Sequence, residues 1–127
     1  MENLNKFEIS ILERVSDKYP AIKSHLPYLK VLNRKLTGVG MYVYFSYFNE
    51  PNNIENLSVY GSLISSNDEI MLPTLDYGLC HVLSISHEGK IKMLELVTYP
   101  DEIWDGNFSG YSFKNPARTG PARNECS

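Results

Sequence analysis

Apolar residues near the amino terminus recur at the spacing of an amphipathic helix. Leu4, Phe7, Ile11 and Val15 lie three or four positions apart, with charged residues between them. This spacing places the apolar side chains on one helix face. It predicts a helix over residues 3–16 that packs this face against the rest of the protein.

Beyond residue 28 the pattern changes to that of β-strands. Residues 41–48 are dense in aromatic and β-branched side chains, which favours a strand. Two glycines precede it, so residues 29–37 are expected to pair with it as a hairpin. The alternation of apolar and polar side chains over 79–86 and 91–97, on either side of a Glu-Gly turn, predicts a second hairpin. Less regular strands are expected at 57–65 and 111–113.

The order of these elements predicts an α+β fold. A shorter helical segment is expected at residues 20–26, because proline suits a first helical turn. Helices followed by a run of strands favour N-terminal helices packed on one face of an antiparallel sheet of about five strands. Residues 1–113 are expected to form one domain. Residues 114–127, rich in Pro, Gly, Arg and Asn, are expected to be a disordered tail.

The net charge of −3 conceals an uneven distribution of charge. Residues 1–40 carry +3, residues 41–105 carry two Lys/Arg and ten Asp/Glu, which is −8, and residues 106–127 carry +2. The acidic middle segment argues against nucleic acid as a partner, because phosphate binding requires the opposite field. It would attract a basic protein. The simpler alternative is a solvated face that only keeps the protein in solution.

The sequence also bears on the compartment. No apolar run is long enough to cross a bilayer, and the first residues do not have the pattern of a signal peptide. The two cysteines, Cys80 in an apolar run and Cys126 near the end, form no disulfide framework. We therefore expect a cytoplasmic protein with reduced thiols and no membrane contact.

Most candidate chemistry has a simpler explanation. Cys80 and His81 are neighbours on a predicted strand, so their side chains point to opposite faces and cannot form a catalytic pair. We expect Cys80 to be a buried apolar residue. His25, His81 and His87 do not have metal-ligand spacing and are expected to have packing or surface roles. These patterns predict no catalytic residue, no metal and no cofactor.

Four carboxylates and the single tryptophan fall between residues 94 and 106. Glu95 lies on a predicted strand, on the face opposite Leu94, and is expected either to point outward or to pair with a basic residue. Asp101, Glu102 and Asp105 follow in a loop. They do not have the alternate-residue spacing of a calcium loop, and no histidine or glycine-rich segment beside them supports acid–base catalysis.

The same loop suits a protein interface. Tyr99 and Trp104 flank its acids, and aromatic anchors in a negative field are typical of recognition surfaces. The alternative for Trp104 is that its ring folds back and closes the end of the sheet. The predicted partner-binding residues, including three further acids of the same acidic segment, are Tyr99, Asp101, Glu102, Trp104, Asp105, Asp76, Asp68 and Glu69.

Two parts of the chain, LPYLKVLNRKLTGVGMYVYF and DYGLCHVLSISHEGKIKMLELVTYPDEIW, carry a resemblance to a group of small bacterial proteins. The shared pattern is an Arg, a Thr-Gly-Val-Gly turn before an aromatic strand, and a hairpin that leads to an acidic stretch with a tryptophan. The chain departs from the pattern at Pro100, where the group has glycine. The matching residues are Arg34, Thr37, Gly38, Val39, Gly40, Phe45, Gly78, Gly89, Leu94, Glu95, Thr98, Tyr99, Asp101, Glu102 and Trp104.

This group resembles the immunity proteins of bacterial toxin systems, including contact-dependent growth inhibition. The resemblance implies a protein that binds a cognate toxin domain and covers its active site without catalysis of its own. Combined with the acidic segment, it suggests a basic, nuclease-like toxin as the partner. The alternatives are a small hydrolase-like enzyme that uses carboxylates of the 95–105 region, and a non-catalytic adaptor domain. The oligomeric state is left open.

Overall fold

The computed structural model describes residues 1–57, 62–99 and 102–114, which fold into one helix, two short 3-10 segments and an antiparallel sheet. The helical elements are α1 (Lys6–Lys18) and the 3-10 segments Pro20–Ser24 and Leu26–Tyr28. The strands are β1 (Leu29–Leu36), β2 (Gly40–Tyr47), β3 (Leu63–Ile64), β4 (Glu69–Met71), β5 (Leu79–Ile85), β6 (Ile91–Thr98) and β7 (Ser112–Lys114).

Helix α1 starts at a capping box. The Asn5 side chain accepts a hydrogen bond from the Glu8 amide at 2.8 Å, and the Glu8 carboxylate accepts one from the Asn5 amide at 2.9 Å. These two bonds satisfy amide groups that a helix start otherwise leaves without partners. Glu8 also forms a paired hydrogen bond with Arg34 of β1, at 2.7 and 2.9 Å. The start of the helix is therefore fixed to the sheet by a buried carboxylate.

The sheet has the order β1-β2-β6-β5-β4-β7, and β3 pairs with β5 beside this path. Its centre consists of two hairpins, β1–β2 and β5–β6, joined where β2 pairs with β6. The pairing of β2 with β6 requires Gly40, since a Cβ there would lie 2.1 Å from the Leu96 carbonyl oxygen. The shorter strands β4 and β7 extend the sheet past β5.

The core lies between α1 and one face of this sheet. Phe7, Ile11 and Val15 of the helix are buried, as are Leu94 and Leu96 of β6. The segment after β6 completes this layer, because Phe108 stacks on Phe7 with ring centroids 4.8 Å apart. The expectation that the helix packs its apolar face against the sheet is confirmed for these residues.

The α+β class and the antiparallel sheet are confirmed, and the element details require corrections. Within the described residues the sheet has seven strands rather than about five. β3 lies within the strand expected at 57–65, and β7 overlaps the one expected at 111–113. β4 was not predicted, because its three residues are too few to show an alternating pattern. Lys114 belongs to β7 instead of a disordered tail. The predictions for residues 58–61 and 115–127 lie outside the described residues.

The expectation for the thiols is also corrected. Cys80 is buried, as predicted, but it is disulfide-bonded and not a free thiol. Its partner lies outside the described residues. No helix in the described part of the chain is both long and apolar enough to cross a membrane.

Candidate functional site

The acidic loop after β6 is held against the turn between β1 and β2 by backbone hydrogen bonds. The amide of Trp104 donates to the Gly38 carbonyl at 2.9 Å, and the amide of Thr98 donates to the Val39 carbonyl at 2.8 Å. The Thr98 hydroxyl lies 3.0 Å from the Val39 carbonyl oxygen and 2.5 Å from that of Glu102. The loop therefore has a fixed position at one end of the sheet.

Trp104 belongs to the core. Its side chain is only 2% exposed, and its indole N–H donates to the Asn107 carbonyl at 3.0 Å. A ring buried this deeply cannot contact a partner unless the loop moves. Of the two interpretations made from the sequence, the structure favours the one in which Trp104 closes the end of the sheet.

Glu102 joins this loop to the loop before β5. Its carboxylate accepts a hydrogen bond from the Asp76 amide at 2.7 Å and another from the Tyr77 amide at 3.3 Å. A carboxylate that accepts hydrogen bonds from two backbone N–H groups satisfies donors that have no backbone partner in the turn. Glu102 therefore positions residues 76 and 77 beside the acidic loop.

The side chains that remain available at this end are partly apolar and partly acidic. Ile103 is 82% exposed and Tyr77 is 56% exposed. The carboxylates of Asp76 and Asp105 lie on exposed residues beside them and make no ion pair with any described residue. We define the acidic loop surface as Asp76, Tyr77, Glu102, Ile103 and Asp105.

Sequence reasoning missed Tyr77 and Ile103 at this surface. The signal that could have identified Ile103 is its position next to Trp104, because two adjacent apolar residues in a short loop rarely point to the same side. Tyr77 carried no such signal, since its placement depends on the contact between its amide and Glu102, which is 25 residues away in sequence.

The other predicted partner-binding residues lie elsewhere or already have partners. Asp68 forms an ion pair with Arg14 of α1 at 3.0 Å. Glu69 is buried in β4 and accepts a hydrogen bond from the Tyr99 hydroxyl. Asp101 lies outside the described residues. The structure thus joins Glu102 to Asp76, with Asp105 three residues further along the same loop, and pairs Asp68 with the helix.

Two histidines are buried and act as hydrogen-bonding centres. The Nε2–H group of His25 donates to the Glu55 carbonyl at 2.7 Å, and its Nδ1 accepts from the Tyr47 hydroxyl at 2.8 Å. Nε2 of His81 lies 2.9 Å from the Ser66 hydroxyl and accepts from the Ser66 amide at 3.2 Å. Burial lowers the pKa of His81 to about 4, so the ring is neutral at pH 7.

The Ser66–His81 pair superficially resembles a nucleophile and its general base. A general base needs a free lone pair and a third group that orients the ring. Here the Nε2 lone pair already accepts an amide N–H, and Nδ1 has no hydrogen-bond partner among the described residues. This geometry fits a histidine that holds the turn at residues 65–68.

The described residues contain no cluster of three or more His, Cys, Asp or Glu side chains that could hold a metal ion. What the acidic loop surface combines is exposed apolar area with carboxylates on a fixed backbone. This combination suits contact with a positively charged protein surface.

Comparisons of the chain with protein-family models, curated proteins and solved structures find no match.

Proposed function

We propose that this chain is an immunity protein that binds and neutralises a basic, nuclease-like toxin domain through the acidic loop surface. The observation that carries the proposal is the exposed pair Tyr77 and Ile103, which lies beside the carboxylates of Asp76 and Asp105. Apolar anchors supply most of the binding energy of protein interfaces. Charges at the edge select partners of opposite sign and speed association.

The hydrogen bonds that hold the described residues of this surface support the same proposal. The loop is fixed by the Gly38 and Val39 carbonyls, and its neighbour is fixed by the Glu102 carboxylate. A surface that is already ordered loses little conformational entropy on binding. Neutralisation would follow from the position of the surface over the cationic substrate groove of the toxin, without any reaction catalysed by this chain.

The test is to search the genes beside this one for a basic toxin domain and to measure the affinity of this chain for it at low and moderate salt. The variant Ile103→Ser should weaken binding at both salt concentrations, because it removes an apolar anchor. The variant with Asp76→Asn and Asp105→Asn should weaken binding mainly at low salt and flatten the salt dependence. Glu102 is unsuitable for this experiment, since its carboxylate holds the loop.

A matched control removes two charges elsewhere. Glu13→Gln and Glu88→Gln alter exposed acids on α1 and in the β5–β6 turn, and this double variant should bind like the unmodified chain. Melting temperatures show whether each variant remains folded. Unchanged affinity for both the Ile103 and the Asp76/Asp105 variants would overturn the proposal.

A further inference from the structure

Cys80 lies on the face of the sheet opposite α1. Leu96 of β6 belongs to the core between the helix and the sheet. Because side chains alternate along a strand, the next residue, Val97, points to the other side, and its paired residue Cys80 points the same way. Val82 and Glu95, which are paired two residues further along, share this face.

Glu69 of β4 lies beside Cys80 on the same face. Ile70 is paired with Leu79 in antiparallel register, so the residues next to them, Glu69 and Cys80, also lie opposite each other. We define the second sheet face as Glu69, Cys80, Val82, Glu95 and Val97.

The second sheet face is covered where it crosses β4 and β5. Cys80 is 3% exposed, and Val82 and Glu69 are each 8% exposed. Helix α1 does not cover them, since it packs on the other face. The Glu69 carboxylate accepts a hydrogen bond from the Tyr99 hydroxyl, and a buried carboxylate is further stabilised by a positive charge. A covering segment with basic side chains would therefore suit this place.

The cysteine count indicates which segment this is. Cys80 is disulfide-bonded, and the only other cysteine of the chain is Cys126. Lys114 in the edge strand β7 is paired with Glu69, which places it two strands, or about 10 Å, from Cys80. The 12 residues from Lys114 to Cys126 can span about 40 Å when extended. This reach is ample for a disulfide, whose Cα atoms lie about 5.5 Å apart.

We propose that Cys126 is the disulfide partner of Cys80 and that residues 115–126 form a strap over the second sheet face at β4 and β5. The strap accounts for the burial of Cys80 and Val82 on a face that points away from α1. It commits the face to a segment of the same chain and not to a second protein.

The composition of the strap fits the face that it covers. Arg118 and Arg123 lie within it and bring positive charge to the buried carboxylate of Glu69. Its four carboxyl-proximal positions contain one acidic residue, Glu125. The strap is therefore a basic segment on a face that carries two carboxylates.

A disulfide makes the strap sensitive to redox conditions. The bond forms when the two thiols pass two electrons and two protons to a disulfide oxidant, which becomes two thiols. A dithiol reductant reverses the exchange and becomes a disulfide itself. An oxidising environment therefore closes the strap, and a reducing one releases it.

The first experiment maps the bond and the strap in the full chain. A proteolytic digest without reductant should contain a peptide that joins Cys80 to Cys126. In the native protein, tryptic cleavage after Arg118 and Arg123 should become at least about tenfold faster when a dithiol is added. Cleavage after Lys92 of β6 should stay slow in both states, which shows that the sheet remains folded.

The second experiment compares melting temperatures with and without the dithiol. The bond closes a loop of about 47 residues, so its reduction should lower the melting temperature by roughly 10 °C. Cys126→Ser should melt like the reduced unmodified chain and should not respond to the dithiol. Ser127→Ala is the matched control, because it changes the neighbouring residue, keeps both cysteines and should respond like the unmodified chain.

Three results would overturn the strap. The digest could contain Cys126 as a free thiol, or joined to another chain. The dithiol could leave the cleavage rates after Arg118 and Arg123 unchanged. Because the toxin experiment uses other residues and another partner, failure of the strap would leave the proposed function standing.

Discussion

Replacement of the adjacent residues Ile103 and Trp104 by alanine should change the stability of the fold by very different amounts. Trp104 is 2% exposed and Ile103 is 82% exposed. The tryptophan fills space between the loop and the sheet, whereas most of the isoleucine side chain is in solvent. We expect Trp104→Ala to destabilise the fold strongly and Ile103→Ala to leave its stability nearly unchanged.

The magnitudes follow from burial. Truncation of a buried tryptophan costs about 3–5 kcal/mol, which includes the cavity that remains. The Asn107 carbonyl also loses its indole donor, but Asn107 is exposed and water can replace that bond. Full burial of an isoleucine contributes about 1.5–3 kcal/mol. A side chain that keeps less than a fifth of its surface buried should therefore lose less than about 0.5 kcal/mol.

Urea denaturation monitored by circular dichroism gives the free energy of unfolding of each variant. Leu94→Ala serves as the reference for a core position and should cost about 2–5 kcal/mol. A loss for Trp104→Ala similar to that reference would agree with a ring that closes the sheet. A loss below about 1 kcal/mol, close to that of Ile103→Ala, would refute the reasoning and return Trp104 to the interface.

Two other predictions concern buried ionisable side chains. Glu8→Gln keeps the hydrogen bonds of the helix cap but leaves Arg34 with only the exposed carboxylate of Glu2, at 3.3 Å. It should cost about 2–3 kcal/mol, at or just below the lower end of the range for a buried pair because Arg34 is partly exposed. That cost should shrink by at least about 1 kcal/mol in an Arg34→Met background, and equal costs in both backgrounds would contradict a coupled pair. The second prediction concerns His81, whose pKa is lowered to about 4 in the fold from about 6.5 in the unfolded chain. The unfolded chain binds the proton first, so stability should fall as the pH drops from about 6.5 to 4, by about 2–4 kcal/mol in total. His81→Gln should remove this part of the pH dependence, and an identical pH profile in both proteins would contradict the assignment.

The long elements could be predicted from sequence because their patterns are local. The spacing of Phe7, Ile11 and Val15 defines one face of α1, and the Asn5 side chain caps its start. The alternation around the turn at residues 86–90 defines the β5–β6 hairpin. In each case the spacing of the apolar residues agrees with the residues that end the element. Only a helix, or only a pair of strands, can then bury all the apolar side chains on one face.

The candidate site could be predicted only in part. The acids of the loop were visible, but the sequence does not reveal which carboxylates are already bonded. Glu102 and Glu69 have partners far along the chain, and such pairings depend on tertiary structure. Ile103 is exposed and Trp104 is buried in a loop whose backbone is hydrogen-bonded to Gly38, which is far away in sequence. Short strands such as β4 carry too few residues for any pattern.

The groups that attach the acidic loop to the fold differ from the side chains that would contact a partner, whereas many binding surfaces use the same groups for both. The loop is held by main-chain carbonyls of the β1–β2 turn, by one carboxylate and by a buried ring. The side chains at 77, 103 and 105 take no part in that attachment through their own terminal groups, apart from a local bond between Asp105 and the Asn107 amide. Substitutions at these positions could therefore retune which partner is recognised while the architecture stays the same. A library randomised at 77 and 103 alone should yield mostly folded members, which makes this end of the sheet a practical starting point for redesigned specificity.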